Sequence, residues 1–269
     1  MVDELFRLMA FNRWLFLLLF LIAMIVFSEL GRWIGVHRRS RINEDKDEGA
    51  SLVVGSLLGL LAFVLALNLS NASSRHDRRM DATLTEVNAI STALQQASAL
   101  GGPEAEAIEA ALKEYLLLRY IYVRANPADE EIARLSALTD EMQGEIWERM
   151  SRIVRETPTP PATSLMNALN TAFDASTAMR MAMEYRMPAQ VVYLLLAMSL
   201  LGTGAVGYQF GLTRRRGRIP VIVLSTLWAV VITQIIDIGT ARIWTFRTET
   251  KVYEWSMDTL GMTYPKDGA

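Results

Sequence analysis

The chain has 269 residues, with 27 Lys+Arg against 29 Asp+Glu and a net charge of −2, which points to no strongly charged partner. It has no cysteine, so disulfides, thiolate nucleophiles, iron–sulfur clusters and Cys-ligated zinc are excluded. Two histidines far apart in sequence, His37 and His76, leave little for a metal site, so neither metal nor cofactor is expected.

What the chain does carry is length without charge. Gly49–Ser74 and Met187–Thr213 are uncharged over 26 and 27 residues, Ile219–Ile236 over 18, and Trp14–Ser28 over 15. A helix needs about 20 mostly apolar residues to cross a bilayer core, and only helices satisfy their own backbone there among chains without barrel patterning. The first of these runs is expected to be a retained transmembrane helix rather than a cleaved signal. Asp3 and Glu4 dilute its basic flank, and it runs into Glu29, Gly31 and Arg32 rather than a small-x-small site. Arg13 and Arg32 can snorkel, and Phe11, Trp14 and Trp33 are interface residues, stretching the span to about 9–31.

A polar hairpin loop, Arg38 to Gly49, follows. The second span covers about 50–71 and its helix is expected to continue, because Met80, Leu84, Val87, Ile90 and Leu94 repeat at spacings of three and four. Gly101-Gly102-Pro103 should stop it near Ala99, and Pro103, Glu104 and Glu106 suit the first turn of the next helix. That helix carries Ile108, Leu112, Tyr115, Leu116, Tyr120 and Val123 on one stripe. Another opens at Asp129 with a buried edge of Ile132, Leu135, Leu138, Met142, Ile146, Met150 and Ile153. Thr157-Pro158-Thr159-Pro160-Pro161 reads as an extended connector, with Thr163 or Ser164 capping a helix of Leu165, Leu169, Phe173, Ser176, Met179 and Met183. Pro188 should kink that helix where the third span begins. The third span covers about 188–211 and the fourth about 219–238, joined by the basic turn Thr213 to Arg218.

The expected fold is therefore all-α: four transmembrane helices with a helical-bundle domain inserted between the second and third spans. Residues 9–74 hold the first helix pair, 75–186 the helical domain, 187–241 the second pair and 242–269 a C-terminal tail. The helical domain has 12 basic and 17 acidic residues, a net of −5, which argues against nucleic-acid binding. The tail's Trp244, Phe246, Tyr253 and Trp255 suit packing against the membrane surface or that domain.

Three motif groups compete for function. Gly55-x-x-x-Gly59 and Gly207-x-x-x-Gly211 give the second and third spans small faces, for helix packing within the chain, a subunit contact or a pore-facing stripe. Asn68, Ser70 and Asn71 mark the exit of the second span, and Ser225, Thr226, Thr233, Gln234 and Asp237 a polar trend on the fourth. Asp237 is placed at the span's end, within reach of water. Arg75, Arg78 and Arg79 form a juxtamembrane basic collar, facing headgroups or, around a symmetry axis, gathering anions. No ionisable residue lies at the centre of a span, and no Walker loop, nucleophile elbow or zincin helix occurs, so no enzyme is expected. Short-loop basic residues favour cytoplasmic loops and an extracytoplasmic helical domain.

The sequence also resembles the bestrophin-like domain proteins of bacteria. The likeness lies in Gly59-Leu-Leu-Ala-Phe, Glu86-Val-Asn-Ala-Ile and Lys113-Glu-Tyr-Leu-Leu-Leu-Arg119. It continues through Asn167, Asn170 and Asp174, then Arg186-Met-Pro188, Gly207-Tyr-x-x-Gly211 and Ile235-Ile-Asp237. The basic, proline-containing stretch usual after the last motif is replaced by Ile238-Gly-Thr-Ala-Arg242. The resemblance implies a four-span helical protein of the bacterial inner membrane. By analogy with bestrophins it further implies an oligomeric anion channel whose second span lines the pore and whose helical domain is cytosolic. On that analogy Gly55, Gly59, Phe63, Asn68 and Asn71 are the pore-lining residues. The alternative is a non-conducting membrane scaffold or sensor whose helical domain binds a protein partner.

Overall fold

The structure is a computed structural model describing residues 12–38, 45–125, 129–185, 187–213, 217–241 and 248–265. Among them the secondary structure is helical throughout, with no strand. In chain order the helices are α1 (Arg13–Arg38), α2 (Asp45–Leu100), α3 (Pro103–Arg124), α4 (Asp129–Glu156), α5 (Pro160–Glu184), α6 (Ala189–Thr213), α7 (Arg218–Gly239) and α8 (Lys251–Thr259). The packing divides them into two compact units, Met1–Ser74 with Arg186–Phe246, and Arg75–Tyr185 with Arg247–Ala269.

The first unit holds the apolar spans. Asn12 caps α1, its Oδ1 accepting from the Trp14 and Leu15 N–H groups at 2.9 and 3.3 Å. Phe16, Phe20 and Met24 of α1 join Leu61, Leu65, Val192, Leu195, Ile232 and Ile236 in one buried core. α1 and α6 approach far closer than side chains normally allow. A Cβ on Gly31, Gly35, Gly207 or Gly211 would collide with the facing backbone at Gly204, Tyr208, Ser28 or Arg32 respectively. In lipid such small-residue contact replaces the missing hydrophobic drive. Several hydroxyls inside this unit bond back to their own helices, as Ser199 does to the Leu195 carbonyl at 2.7 Å and Thr233 to the Ala229 carbonyl at 2.7 Å.

The second unit is built on the distal part of α2 with α3, α4, α5 and α8. Ile90, Leu94, Ile108, Leu112, Leu116, Ile146, Met150, Leu165 and Leu169 are all at most 3 % exposed. Gly101 and Gly102 end α2 at φ of 66° and 90°, a region closed to most side chains. Pro103 then opens α3, where Glu104 reaches across to Arg152 of α4 at 3.2 Å.

Several expectations need correction. The loop after the first span was expected to hold Asp45–Gly49, but these residues already belong to α2. The cap of α5 is Thr159, whose side chain accepts from the Ala162 N–H, so Pro160 and Pro161 form the first turn rather than a connector. On α4, Leu138 is 38 % exposed and Thr139 takes the buried position at 4 %. Its hydroxyl is satisfied by the Leu135 carbonyl at 2.8 Å, which removes the cost of burying it. Pro188 does not kink a continuous helix: α5 ends at Glu184, Tyr185 is extended, and α6 starts anew at Ala189.

Candidate functional site

The membrane part of α2 is held along one edge, where Val54, Leu61, Leu65 and Ala72 are 0–6 % exposed. At about 100° per residue, Gly55, Gly59, Ala62, Ala66, Ser70 and Ser73 fall within roughly 80° of one another, on a different face. All six are exposed. A Cβ added to Gly55 or Gly59 would meet nothing within 4 Å. Phe63, 61 % exposed, stands at the seam between this small face and a bulky one of Val53, Leu57, Leu60 and Leu67. At the start of α2, Ser51, Leu52, Gly55 and Ser56 line an open hollow of about 580 Å³.

Three of the five expected pore residues thus share a side of the helix. Asn68 and Asn71 do not: they lie about 140° and 160° from Gly55. Asn68 is half-buried and donates to the Val64 carbonyl of its own helix at 2.8 Å, while Asn71 is exposed. Asp237 departs from its expected setting altogether. It is 0 % exposed and faces Arg13 at 3.1 Å, because the start of α1 brings that guanidinium onto the end of α7. Trp14 and Trp33, 72 % and 62 % exposed, stand nineteen residues apart on α1. That separation spans about 28 Å, close to the thickness of a hydrocarbon core.

In the second unit the basic collar is not an outward-facing set. Arg79 is 1 % exposed, and burial, then the neighbouring Arg75 charge, lowers its pKa from the usual arginine value. Arg75 is half-buried, donating to the Tyr185 carbonyl at 3.4 Å with its guanidinium 4.7 Å from the Tyr185 ring centre. Arg78 alone of the three is exposed, beside exposed Asp77 and Asp81.

The most heavily buried charges lie deeper in this unit. Glu86 of α2 and Arg119 of α3 are 0 % and 1 % exposed and meet at 2.5 Å. The second Glu86 oxygen accepts from the Tyr253 hydroxyl of α8, also at 2.5 Å. Arg119 lies 4.5 Å from the Tyr122 ring centre and donates to the Ser176 carbonyl at 3.4 Å. Burial, the largest single influence, works against the charged guanidinium, but the Glu86 carboxylate together with Tyr253 and Tyr115 outweighs it and the net effect raises the Arg119 pKa. Burial, and after it the Glu86 charge, pushes the Tyr253 hydroxyl well above the ordinary tyrosine range. Chemistry alone did not single this trio out in the sequence. Glu86 and Arg119 do sit in two of the stretches that carry the family resemblance, and that was the available signal. Among the described residues no group of three or more His, Cys, Asp or Glu side chains could hold a metal ion.

Neither a family profile nor a curated protein matches the chain. Solved structures do. Two crystal structures of point variants of a bacterial bestrophin homolog from Klebsiella pneumoniae superpose with TM-scores of 0.67 and 0.66 at 13 % identity. They cover 92 % and 91 % of this chain and 98 % and 99 % of theirs. The fold is bestrophin-like. With four helices long and apolar enough to cross a bilayer, the chain is a multi-pass membrane protein. Within this bestrophin-like fold the resembling stretches have physical work: Glu86 and Arg119 pair, Gly207 and Gly211 admit α1, and Asp237 receives Arg13.

Proposed function

We propose that the chain assembles as a homo-oligomer in the inner membrane, with the small face of α2 lining an ion path. One observation carries this reading. Three helices carry a Gly-x-x-x-Gly pair: those of α1 (Gly31, Gly35) and α6 pack against one another, whereas that of α2 is left uncovered by the described residues. Glycines in a helix interior cost stability, and among the described residues no neighbour lies within 4 Å of a Cβ at Gly55 or Gly59 to offset that cost. A symmetry axis beside α2 would use them, placing Gly55, Gly59 and Phe63 along a narrow, partly aromatic passage. Anion preference, expected from the basic collar, draws little support from it: the collar's exposed member, Arg78, is flanked by Asp77 and Asp81. The test is current recording from purified protein in planar bilayers, with reversal potentials in asymmetric salt. Conductance that rises in Phe63→Ala would support the reading. Silence across anion, cation and pH conditions, with insertion verified, would sink it.

A second reading, a non-conducting scaffold, is favoured by a different surface. Trp255 is 65 % exposed and Leu84 47 % exposed, beside an open groove of about 510 Å³ with Val87, Leu94 and Val252 on its walls. On that reading the helical unit binds a protein partner and the spans are an anchor. Loss of partner capture in Trp255→Ser with unchanged bilayer currents would favour it.

A further inference from the structure

We propose that the headgroup of an anionic phospholipid binds in the cleft between the C-terminal half of α1 and the start of α7. Glu29 lies between two guanidiniums there, with Arg32 at 3.3 Å and Arg218 at 3.2 Å. Two positive charges against one negative leave a surplus of one, which matches a single phosphodiester. The arginines remain available at the mouth, since their side chains are 36 % and 67 % exposed. The cleft itself, about 60 Å³, is lined by Glu29 and the two arginines together with Ile25, Phe210 and Val221. Gly217 lets the chain pass over Phe210, because a Cβ there would strike the ring. Ile222 and Ile219, 46 % and 77 % exposed, continue the apolar surface down the outer side of α7.

Depth decides which phosphate this cleft sees. Trp33, 62 % exposed, is one turn beyond Glu29 on α1, and aromatic residues of this kind settle at the headgroup level. A guanidinium pair at that depth faces lipid phosphates, while the apolar flank below it receives acyl chain. Basic pockets between transmembrane helices recognise anionic headgroups through this combination. A free phosphate ion shares the charge but would have no use for the apolar flank.

The proposal is tested on the full-length protein in nanodiscs of phosphatidylcholine, with and without phosphatidylglycerol, and by native mass spectrometry of co-purified lipid. Wild type should retain about one phosphatidylglycerol per chain, and its thermal midpoint should rise when that lipid is added. Arg218→Gln and Arg32→Gln should each weaken retention about fivefold, the scale of one basic side chain near an anionic surface. Their melting in pure phosphatidylcholine, matched to wild type, serves as the folding control. Equal stabilisation by the two lipids would overturn the proposal. So would undiminished retention in the double variant, or equal stabilisation of detergent-solubilised protein by inorganic phosphate.

Discussion

Two buried ion pairs fix residues that would otherwise be expensive. Asp237 has no exposed surface and Arg13 faces it at 3.1 Å, so removing Arg13 takes a compensating charge from a buried carboxylate. Breaking such a pair costs about 3–5 kcal/mol, whereas replacing both members by apolar groups can be neutral. Arg13→Leu and Asp237→Leu should therefore each lower unfolding stability in bicelles, and the double variant should lose less than the two single losses added together. Additive losses would rule out the pairing as the cause. Tyr253 makes a prediction with a definite sign. Its hydroxyl ionises near pH 10 in an unfolded chain but at higher pH in the native one. Its contribution is complete below about pH 10 and is lost as pH rises above that, at about 1.4 kcal/mol per unit. Chemical denaturation from about pH 9 to 12 should show a steeper alkaline decline in wild type than in Tyr253→Phe; parallel slopes would refute the assignment.

Helices differ in how much their own sequence determines. α2 was legible almost end to end, because uncharged length gives its span, three-four spacing gives its extension, and Gly101-Gly102-Pro103 gives its stop. What the sequence could not distinguish was which of its identical glycine spacings are used inside the chain, since that depends on which neighbour arrives. The structure pairs Gly207 and Gly211 with α1 and leaves Gly55 and Gly59 open. Gly207→Val should thus destabilise the protein by about 1–3 kcal/mol through backbone displacement. Gly59→Ala should leave chain stability unharmed, measured by the same unfolding assay; a loss as large as that at Gly207 would show the α2 face to be buried after all. Capping was misread for a related reason. Thr159, Thr163 and Ser164 are equally good caps by type, and only the two prolines' preference for a first turn selects Thr159. Asp237 was placed in water because span ends usually are wet, and nothing local to α7 reveals that α1 brings Arg13 to it. Glu86 and Arg119, 33 positions apart, carry no spacing rule that would join them.

At the level of the whole molecule, the four-span, all-helical class was readable because bilayer thickness imposes it, and the bestrophin-like arrangement followed from short motifs in order. Orientation is another matter. Short-loop arginines favour cytoplasmic loops, while the bestrophin analogy puts the helical unit in the cytosol, and both cannot hold. An alkaline phosphatase fusion after Lys266 separates them: activity is expected if the loops are cytoplasmic, and an inactive fusion would reverse the assignment.

The locked glycines of α1 and α6 also set a schedule for biogenesis. Gly31 and the Gly204 backbone it packs against are 173 positions apart, so the first span enters the membrane long before its counterpart exists. At synthesis rates of about 5–20 residues per second, that wait lasts roughly 9–35 seconds. Throughout it, a glycine-lined helix stands in lipid without its mate, a natural client for insertion factors and quality-control proteases. A ribosome-arrested chain ending before Ala189 should be turned over faster than one arrested beyond residue 241, once its final span has emerged.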